Sequence, residues 1–271
     1  MKKYENQDCS ELRALIEEDK VPYAVLYRII GDAWGTVITD HKRIVITCSG
    51  TNFYPIWVWT AKDVTKEELE QIYEILKTEF APLSDYKINT RYDIADYLIG
   101  RINEEGGRFK ALVNINSYEC PVPKKPKERV DGTGGRIAKE EVELAARLTR
   151  EASQAISGLV VSEEDSIKSA KEGLEQQNLF VWRNSEGKAV SFCAKRFESD
   201  EYIAVSECYT VEEERGKRYA GWLINQVCEE IIKEEKTPIL YADADYVSSN
   251  RCYQNIGFAL KAKLVTIGKN R

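Results

Sequence analysis

Three basic residues surround a glycine in the run Arg215-Gly216-Lys217-Arg218. The residues before this run, 202–210, are typical of a strand, and those from Gly216 to Glu235 are typical of a helix. The first N–H groups of a helix lack partners within it, and the helix dipole adds partial positive charge there. The pattern predicts a cradle for phosphate or pyrophosphate. The alternative is an ordinary helix start whose basic residues offset Glu212–Glu214.

A second segment, Ser249-Asn250-Arg251-Cys252-Tyr253-Gln254-Asn255-Ile256-Gly257-Phe258, follows a predicted strand at 238–244. In sheets with parallel strands, ligands bind beyond the carboxyl ends of the strands. Both predicted strands end at these two segments, so we expect the segments to form one site. A buried tyrosine there could give a proton to a departing thiolate. Otherwise Tyr253 is a core aromatic residue.

These two segments resemble the acetyl-CoA motifs of the GNAT superfamily of N-acetyltransferases. The family pattern Arg/Gln-x-x-Gly-x-Gly/Ala falls on Arg215 to Ala220, and the run Ser249-Asn250-x-x-Tyr253-x-x-x-Gly257-Phe258 is similar to the later motif. The resemblance covers about 138–267. The chain departs from the family pattern at Arg218, where glycine is usual, and at Tyr246, where asparagine is common.

The resemblance implies acetyl-CoA as cosubstrate, with no metal. It implies that Asn250 hydrogen-bonds the cofactor and that Tyr253 lies near the thioester sulfur as general acid. Backbone groups of Tyr209 and Val211, at the strand end, would pair with the pantetheine arm. Thr210, which lies between them, is a further expected cofactor-binding residue. The following loop would hold the pyrophosphate; its residues are Arg215, Gly216, Lys217, Arg218, Tyr219 and Ala220.

The implied chemistry is direct attack of an amine on the thioester, with a strand N–H polarising the carbonyl. An amine of pKa about 10 must lose a proton first, so a base is required. Glu207 is the candidate because alternation along a strand places it on the same face as Tyr209. It could equally be a solvent-facing or paired carboxylate, with Asp243 and Asp245 as reserves. Alternation places Cys208 on the opposite face, which disfavours an acyl-cysteine intermediate.

Composition excludes several classes of protein. The net charge of −6 argues against nucleic acid as a partner. The longest apolar runs are strand-length, so no membrane-spanning helix is expected. The seven cysteines are scattered without a Cys-x-x-Cys pair, and there is one histidine, His41. This favours free thiols in a reducing cytoplasm over a zinc site or a disulfide framework.

The order of predicted elements indicates an α/β (α+β) fold: a C-terminal GNAT-like mixed sheet flanked by helices, preceded by an N-terminal α/β domain that could be a degenerate GNAT-like copy. Strands are predicted at 21–30, 35–48, 55–60 and 109–115, with a closing pair of strands at 257–267. Helices are predicted at 65–80, where Thr65 and Glu68 form a capping box, and at 91–104. Ser162 is predicted to cap a further helix. The proline- and glycine-rich stretch 121–135 is interpreted as a linker. The predicted domains are therefore 1–120 and 136–271.

The function that follows is acetyl-CoA-dependent N-acetylation of a primary amine on a small molecule or peptide, by a cytoplasmic protein that could be a homodimer. One alternative is a non-catalytic acyl-CoA sensor. Another is a nucleotide-binding protein, although no Walker lysine pattern or Mg²⁺ ligand set is evident.

Overall fold

The structure is a computed structural model that describes residues 2–3, 9–32, 34–50, 52 and 54–269. These residues fold into two compact units. Unit 1 comprises Met1–Tyr118, Tyr241–Tyr246 and Leu260–Arg271, and unit 2 comprises Glu119–Leu240 and Val247–Ala259. The division into functional domains 1–120 and 136–271 stays a prediction, because the units describe packing and not which residues act.

Both halves of the chain contain strands and helices in similar numbers. The elements of the first half are β1 (Lys2–Lys3), α1 (Ser10–Leu15), α2 (Ala24–Ile30), β2 (Gly35–Thr39), β3 (Ile44–Ser49), β4 (Ile56–Thr60), α3 (Lys66–Glu79), β5 (Ile88–Thr90), α4 (Tyr92–Glu104) and β6 (Phe109–Glu119). Those of the second half are β7 (Thr133–Arg136), α5 (Val142–Ser157), α6 (Glu163–Glu175), β8 (Leu179–Arg183), β9 (Ala189–Phe197), β10 (Tyr202–Thr210), α7 (Tyr219–Lys233), β11 (Thr237–Asp243), α8 (Val247–Ile256) and β12 (Ala259–Lys269).

Unit 1 is a sheet covered by helices on both faces. Its strand order is β1-β2-β3-β4-β5-β12-β6. Helices α3 and α4 pack on one face through residues such as Leu76 and Leu98, and α1 and α2 cover the other face through Leu12 and Leu26. Burial of these apolar side chains supplies the main stabilising free energy.

Unit 2 has the same layered construction. Its strands run in the order β11-β10-β9-β8-β7. Strands β10 and β11 are parallel, whereas β9 pairs antiparallel with both β10 and β8. Helices α5 and α6 pack with one face of the sheet around Phe192, and α7 packs against β8, β9 and β10. The mixed sheet and its flanking helices confirm the predicted fold class.

The order of elements repeats along the chain. After a short first strand, each half continues with two helices, three antiparallel strands, a helix, a strand, a helix and a strand. The last strand of the chain, β12, lies beside β5 in unit 1, with Val265 opposite Thr90. The repeated order is consistent with a duplicated fold, so the proposal that the N-terminal half is a degenerate copy keeps its support.

Most predicted elements are confirmed, including the capping box of Thr65 and Glu68 at α3 and the cap of Ser162 at α6. The strand predicted at 21–30 is wrong, because Ala24–Ile30 is helix α2. Its apolar residues bury one helical face against the sheet, which overrides the strand preference of valine, isoleucine and tyrosine. The pair of strands predicted at 257–267 is also wrong, since this stretch forms the single strand β12.

The segment interpreted as a linker is anchored to helix α7. We call residues 121–132 the strap. The Tyr219 hydroxyl donates to the Asp131 carboxylate at 2.7 Å, and the Trp222 indole donates to the Glu128 carbonyl at 2.8 Å. Beyond the strap, Thr133–Arg136 pairs with β8 as strand β7. The strap therefore fixes the chain next to the first turns of α7.

Two glycines permit close approach of the strap to its neighbours. Gly132 has φ of +84°, and a Cβ there would lie 1.9 Å from the Arg183 carbonyl oxygen. Gly257, after α8, has φ of +111°, and a Cβ would lie 2.8 Å from the Val122 carbonyl oxygen. The Gly257 of the predicted motif is thus required for backbone packing against the strap.

We expect Asp131→Asn to destabilise the protein at neutral pH. The hydrogen bonds from Tyr219 and Ser185 lower the pKa of Asp131 to about 2. A carboxyl whose pKa is lowered by folding stabilises the protein above its unfolded value of about 3.9, and this contribution is lost as pH falls through the folded value. Urea unfolding at pH 7 and pH 3 should show a deficit that shrinks at the lower pH. The same change at exposed Asp200 is the control, and an equal deficit at both positions would contradict the assignment.

Candidate functional site

Strand β10 carries a β-bulge next to both predicted motifs. It pairs with β9 as far as Ser206 opposite Ala194 and resumes at Tyr209 opposite Phe192. Two residues of β10, Glu207 and Cys208, therefore lie opposite one residue of β9. Glu207 adopts a left-handed backbone with φ of +53°. Such a bulge leaves one residue outside the regular ladder and re-aims the side chains beside it.

The bulge overturns the predicted face of Glu207. The Tyr209 side chain packs against an apolar cluster that includes Leu148 and Ala152 of α5 and Phe192 of β9, which we call the α5 cluster. It also lies near Glu151. Glu207 instead acts electrostatically on the thiols of Cys193 and Cys208. The expectation that Glu207 shares a face with Tyr209 is wrong because strict alternation fails where a residue is inserted.

Tyr253 of α8 brings its phenol to this bulge. Its hydroxyl donates a hydrogen bond to the Cys208 sulfur. The residue is 9% exposed, and its ring lies edge-on to that of Phe258, with centroids 6.1 Å apart. Burial raises the pKa of Tyr253 well above its ordinary value, so the phenol stays protonated near neutral pH. A protonated phenol is suited to act as an acid beside a sulfur atom.

The Glu207 carboxyl and the Cys252 thiol both act electrostatically on Cys208, the partner of this phenol. Desolvation raises the pKa of the Glu207 carboxyl, and nearby Arg196 opposes the rise. Glu207 as a whole is nevertheless exposed to solvent. Burial raises the pKa of Cys208 to about 12 and that of Cys252 to about 11. Both thiols are therefore protonated at neutral pH and are weak nucleophiles.

The predicted cradle is a loop that ends at an uncapped helix. Gly216 and Arg218 both have left-handed backbones, with φ of +80° and +69°. Helix α7 begins at Tyr219, and Arg218 occupies the N-cap without a side-chain capping bond. The first turn of α7 carries no acidic residue. The N–H groups and positive dipole end of this helix start are consequently suited to an anion.

The basic side chains of the loop contact protein groups. The Arg215 Nε donates to the Thr210 carbonyl at 3.2 Å, and the Lys217 Nζ lies 2.7 Å from the Glu214 carboxylate. Arg218 forms an ion pair with Glu128 of the strap. We therefore expect attraction of an anion to this loop to rest largely on backbone N–H groups.

Successive backbone N–H groups at the end of β10 point in opposite directions. The Val211 N–H donates to the Val190 carbonyl of β9 at 3.0 Å. In an antiparallel ladder, alternate residues direct both backbone groups to the same neighbour, so Tyr209 also faces β9 and Thr210 faces away. The predicted pantetheine partners Tyr209 and Val211 are thus both directed to β9, and the N–H directed away from β9 belongs to Thr210. Its carbonyl accepts from Arg215.

The equivalent helix start in unit 1 differs in chemistry. By element order α3 corresponds to α7, but its N-cap Thr65 accepts from the Glu68 N–H, and Glu68 bonds back to Thr65. Glu67 and Glu68 add negative charge in the first turn. This helix start satisfies its own N–H groups and repels anions, which distinguishes unit 1 from unit 2.

The remaining predicted residues are placed as follows. Asn250 is 7% exposed in α8, and Ala220 lies in the first turn of α7. Asp243 and Asp245 belong to unit 1, where Asp243 accepts from the Asp245 N–H at 2.9 Å.

Within the described ranges, no cluster of metal-ligating side chains is found, and no helix there is long and apolar enough to cross a bilayer. All seven cysteines, each of them described, are free thiols.

Residues 184–266 match the family model described as FR47-like protein. This stretch is an FR47-like, GNAT-related domain. It contains β10, the loop, α7 and α8, which together hold the bulge, the uncapped helix start and Tyr253. No protein of curated function matches the sequence.

Solved structures extend the similarity to nearly the whole chain. A GNAT-family acetyltransferase from Colwellia psychrerythraea is similar over 99% of both chains, with 14% identity and a TM-score of 0.59. A GCN5-related N-acetyltransferase from Kribbella flavida is similar over 95% of this chain and 96% of its own, with 14% identity and a TM-score of 0.63. A Drosophila protein is similar over 99% and 98%, with 11% identity and a TM-score of 0.68. The chain therefore has the GNAT fold.

Sequence reasoning missed three residues that shape this GNAT-related site. Cys208 was assigned away from the site by alternation, yet it is the partner of Tyr253. Glu128 and Asp131 reach the loop and α7 from the strap. The insertion in β10 has no glycine to mark it, and the strap residues lie far from the motifs in sequence. Neither feature carried a local signal.

We expect Arg218→Gly to be more stable than Arg218→Ala by about 1 kcal/mol, because a left-handed backbone costs an L-residue about that much. Both variants lose the exposed ion pair with Glu128, so comparing them isolates the backbone. Chemical denaturation of the two proteins measures the difference. Equal midpoints and slopes would show that residue 218 does not need a left-handed backbone.

Proposed function

We propose that this protein is an acetyl-CoA-dependent N-acetyltransferase that transfers the acetyl group to a primary amine of a small molecule or peptide by direct attack. The GNAT fold supports acetyl transfer in general. The observation that carries the proposal is the buried, protonated Tyr253 phenol at the β10 bulge. This phenol is hydrogen-bonded to the Cys208 side chain. The uncapped start of α7, in the same unit, adds the anion site that a diphosphate requires.

We assign the diphosphate of acetyl-CoA to the backbone N–H groups from Gly216 to Ala220. The outward N–H of Thr210 is the proposed partner of the pantetheine arm, and Asn250 is a further polar contact. When bound, acetyl-CoA supplies an activated acetyl thioester. No metal is included, because the proposed reaction involves only proton transfers and attack at a carbonyl.

Three groups at the bulge would handle the charges of the reaction. A backbone N–H at the bulge would stabilise the oxygen of the attacked carbonyl. Glu207 would accept a proton from the amine as the C–N bond forms. The C–S bond then breaks, and Tyr253 would give its proton to the departing sulfur. The raised pKa of Glu207 brings this base nearer to the pKa of the amine, which favours the first transfer.

Cys208 has a specific place in this proposal. In the free protein its thiol accepts the hydrogen bond of Tyr253. The sulfur of coenzyme A would take over this bond, so the phenol exchanges one sulfur partner for another without being left unpaired. This exchange costs less than breaking an isolated buried hydrogen bond. It does not require acylation of Cys208, whose raised pKa disfavours the thiolate.

A second candidate function is a non-catalytic acyl-CoA sensor. It is favoured by the low exposure of Tyr253 and by its existing bond to Cys208, since a phenol held inside the protein need not reach a substrate. Calorimetry with acetyl-CoA tests binding, with ATP as the competing ligand. Release of free CoA thiol with a panel of amines then separates an enzyme from a sensor.

We expect Tyr253→Phe to lower kcat by about 10²–10⁴-fold with little change in acetyl-CoA affinity, because the variant removes the proton donor and keeps the ring. Initial rates from thiol release and calorimetric Kd values measure the two effects. The control is Tyr54→Phe, at an exposed tyrosine in unit 1. An unchanged kcat would remove Tyr253 from the mechanism.

We expect Glu207→Gln to lower the rate and to remove the rise in kcat with pH that wild type shows as Glu207 deprotonates. Desolvation raises the pKa of this carboxyl, so the wild-type midpoint should lie above the ordinary value of about 4.3. A raised folded pKa means that the charged form costs stability above the unfolded value.

Glu207→Gln should therefore unfold no more easily than wild type at pH 7, and the two proteins should converge below pH of about 4. This comparison separates loss of the base from loss of the fold. A variant with the wild-type rate and pH profile would exclude Glu207 as the base.

The proposal extends to the cellular surroundings of the protein. The free thiols suit a reducing cytoplasm. A homodimer stays a prediction, as does the identity of the acceptor amine.

A further inference from the structure

A cavity of about 740 Å³ lies in unit 1, beside helices α1 and α2. Its wall includes Ser10, Arg13, Glu17, Tyr27 and Gly31. Pockets that bind small molecules typically have volumes of roughly 300–1,000 Å³. No predicted catalytic or cofactor residue is among the described residues of this wall, so the cavity shares none of them with the candidate acetyl-transfer site.

Among the described residues that line the wall, Arg13 is the cationic one. Its guanidinium carbon lies 4.8 Å from the centroid of the Tyr27 ring, a stacked position typical of a cation–π contact. Its Nε is buried and has no hydrogen-bond partner among the residues that the structure describes. A buried donor without a partner is costly, and more so when it carries charge.

The acid in the wall does not neutralise Arg13. Glu17 lies 2.6 Å from the Lys20 Nζ, so its charge is compensated outside the wall. Across the described part of the chain, no carboxylate forms an ion pair with Arg13. Among the described residues, the positive charge of Arg13 in the wall therefore has no paired carboxylate.

Gly31 leaves the space that this guanidinium occupies. A Cβ at Gly31 would lie 2.4 Å from the Arg13 Nη2 and 3.5 Å from its Cζ. The guanidinium thus occupies space that any other residue would fill, with the Tyr27 ring against it. An arginine held in this way has lost much of its freedom before a ligand arrives, which favours binding.

We propose that this cavity binds a small molecule through a carboxylate that pairs with Arg13. A single guanidinium matches one planar oxyanion in charge and in the geometry of its paired donors. Phosphate, with more charge, is usually bound by several cations or by a set of backbone N–H groups, and the described residues of the wall include no lysine. The apolar parts of Ala14 and Tyr27 leave room for a hydrocarbon body.

The test is titration of the full-length protein, without acyl-CoA, by calorimetry and by two-dimensional NMR. Benzoate is the probe, and benzamide is its uncharged match in shape. We expect saturable benzoate binding, with shifts of the Tyr27 and Gly31 amide signals, and at least tenfold weaker binding of benzamide. Equal binding of the two, no binding of benzoate, or tighter binding of inorganic phosphate would overturn the proposal.

Two variants test the role of Arg13 by different routes. Arg13→Gln removes the charge, and Gly31→Ala keeps the arginine but forces its guanidinium to move. The displaced atoms are the end of a flexible side chain, so Gly31→Ala should fold. Each variant should weaken benzoate binding at least tenfold, and Gly100→Ala, with no atom within 4 Å of the new Cβ, should bind within twofold of wild type. Wild-type affinity in Gly31→Ala and Arg13→Gln would contradict the proposal.

Discussion

One inserted residue in β10 decides which chemical groups meet in unit 2. Without it, regular alternation would place Glu207 and Tyr209 on one face and Cys208 on the other. With it, Cys208 meets Tyr253, Tyr209 packs against the α5 cluster, and Glu207 adopts a left-handed backbone. A non-glycine residue in that conformation carries strain, which persists only where surrounding structure enforces it. The antiparallel pairing with β9 on both sides of the bulge provides that enforcement.

The two halves share an order of elements and differ in how one helix begins. Helix α3 satisfies its first N–H groups with Thr65 and places glutamates in its first turn. Helix α7 has no side-chain cap and no acidic residue in its first turn, and its N-cap is Arg218 in a left-handed conformation. The difference amounts to a few side chains, yet it reverses the preference of the helix start for an anion. This contrast gives a physical basis for proposing cofactor binding in unit 2 and its loss in unit 1.

The strap shows how a segment without regular structure can still define a site. Its carboxylates contact Arg218 and Tyr219, two residues predicted to hold the cofactor. These contacts occupy the side chains and leave the backbone of the loop to interact with a ligand. The ion pair with Glu128 is exposed and contributes little to stability. Its role is to direct the guanidinium of Arg218 toward the strap.

The sequence by itself determined the elements of the fold, the two motifs and the resemblance to GNAT acetyltransferases. These features depend on local patterns: apolar spacing, capping residues such as Thr65 and Ser162, and a glycine among basic residues. Local patterns failed at 21–30, where burial of a helical face overrode strand preference.

Tertiary structure alone decided the partner of Tyr253, the direction of the Thr210 backbone, the contacts of Arg218 and the cavity around Arg13. Each depends on residues distant in sequence that packing brings together, as when Gly31 leaves space for the Arg13 guanidinium. A one-residue insertion changes the directions of the neighbouring side chains. The residue types at Glu207 and Cys208 do not predict such an insertion. Contacts of this kind are a property of the folded chain, so composition and spacing could not predict them.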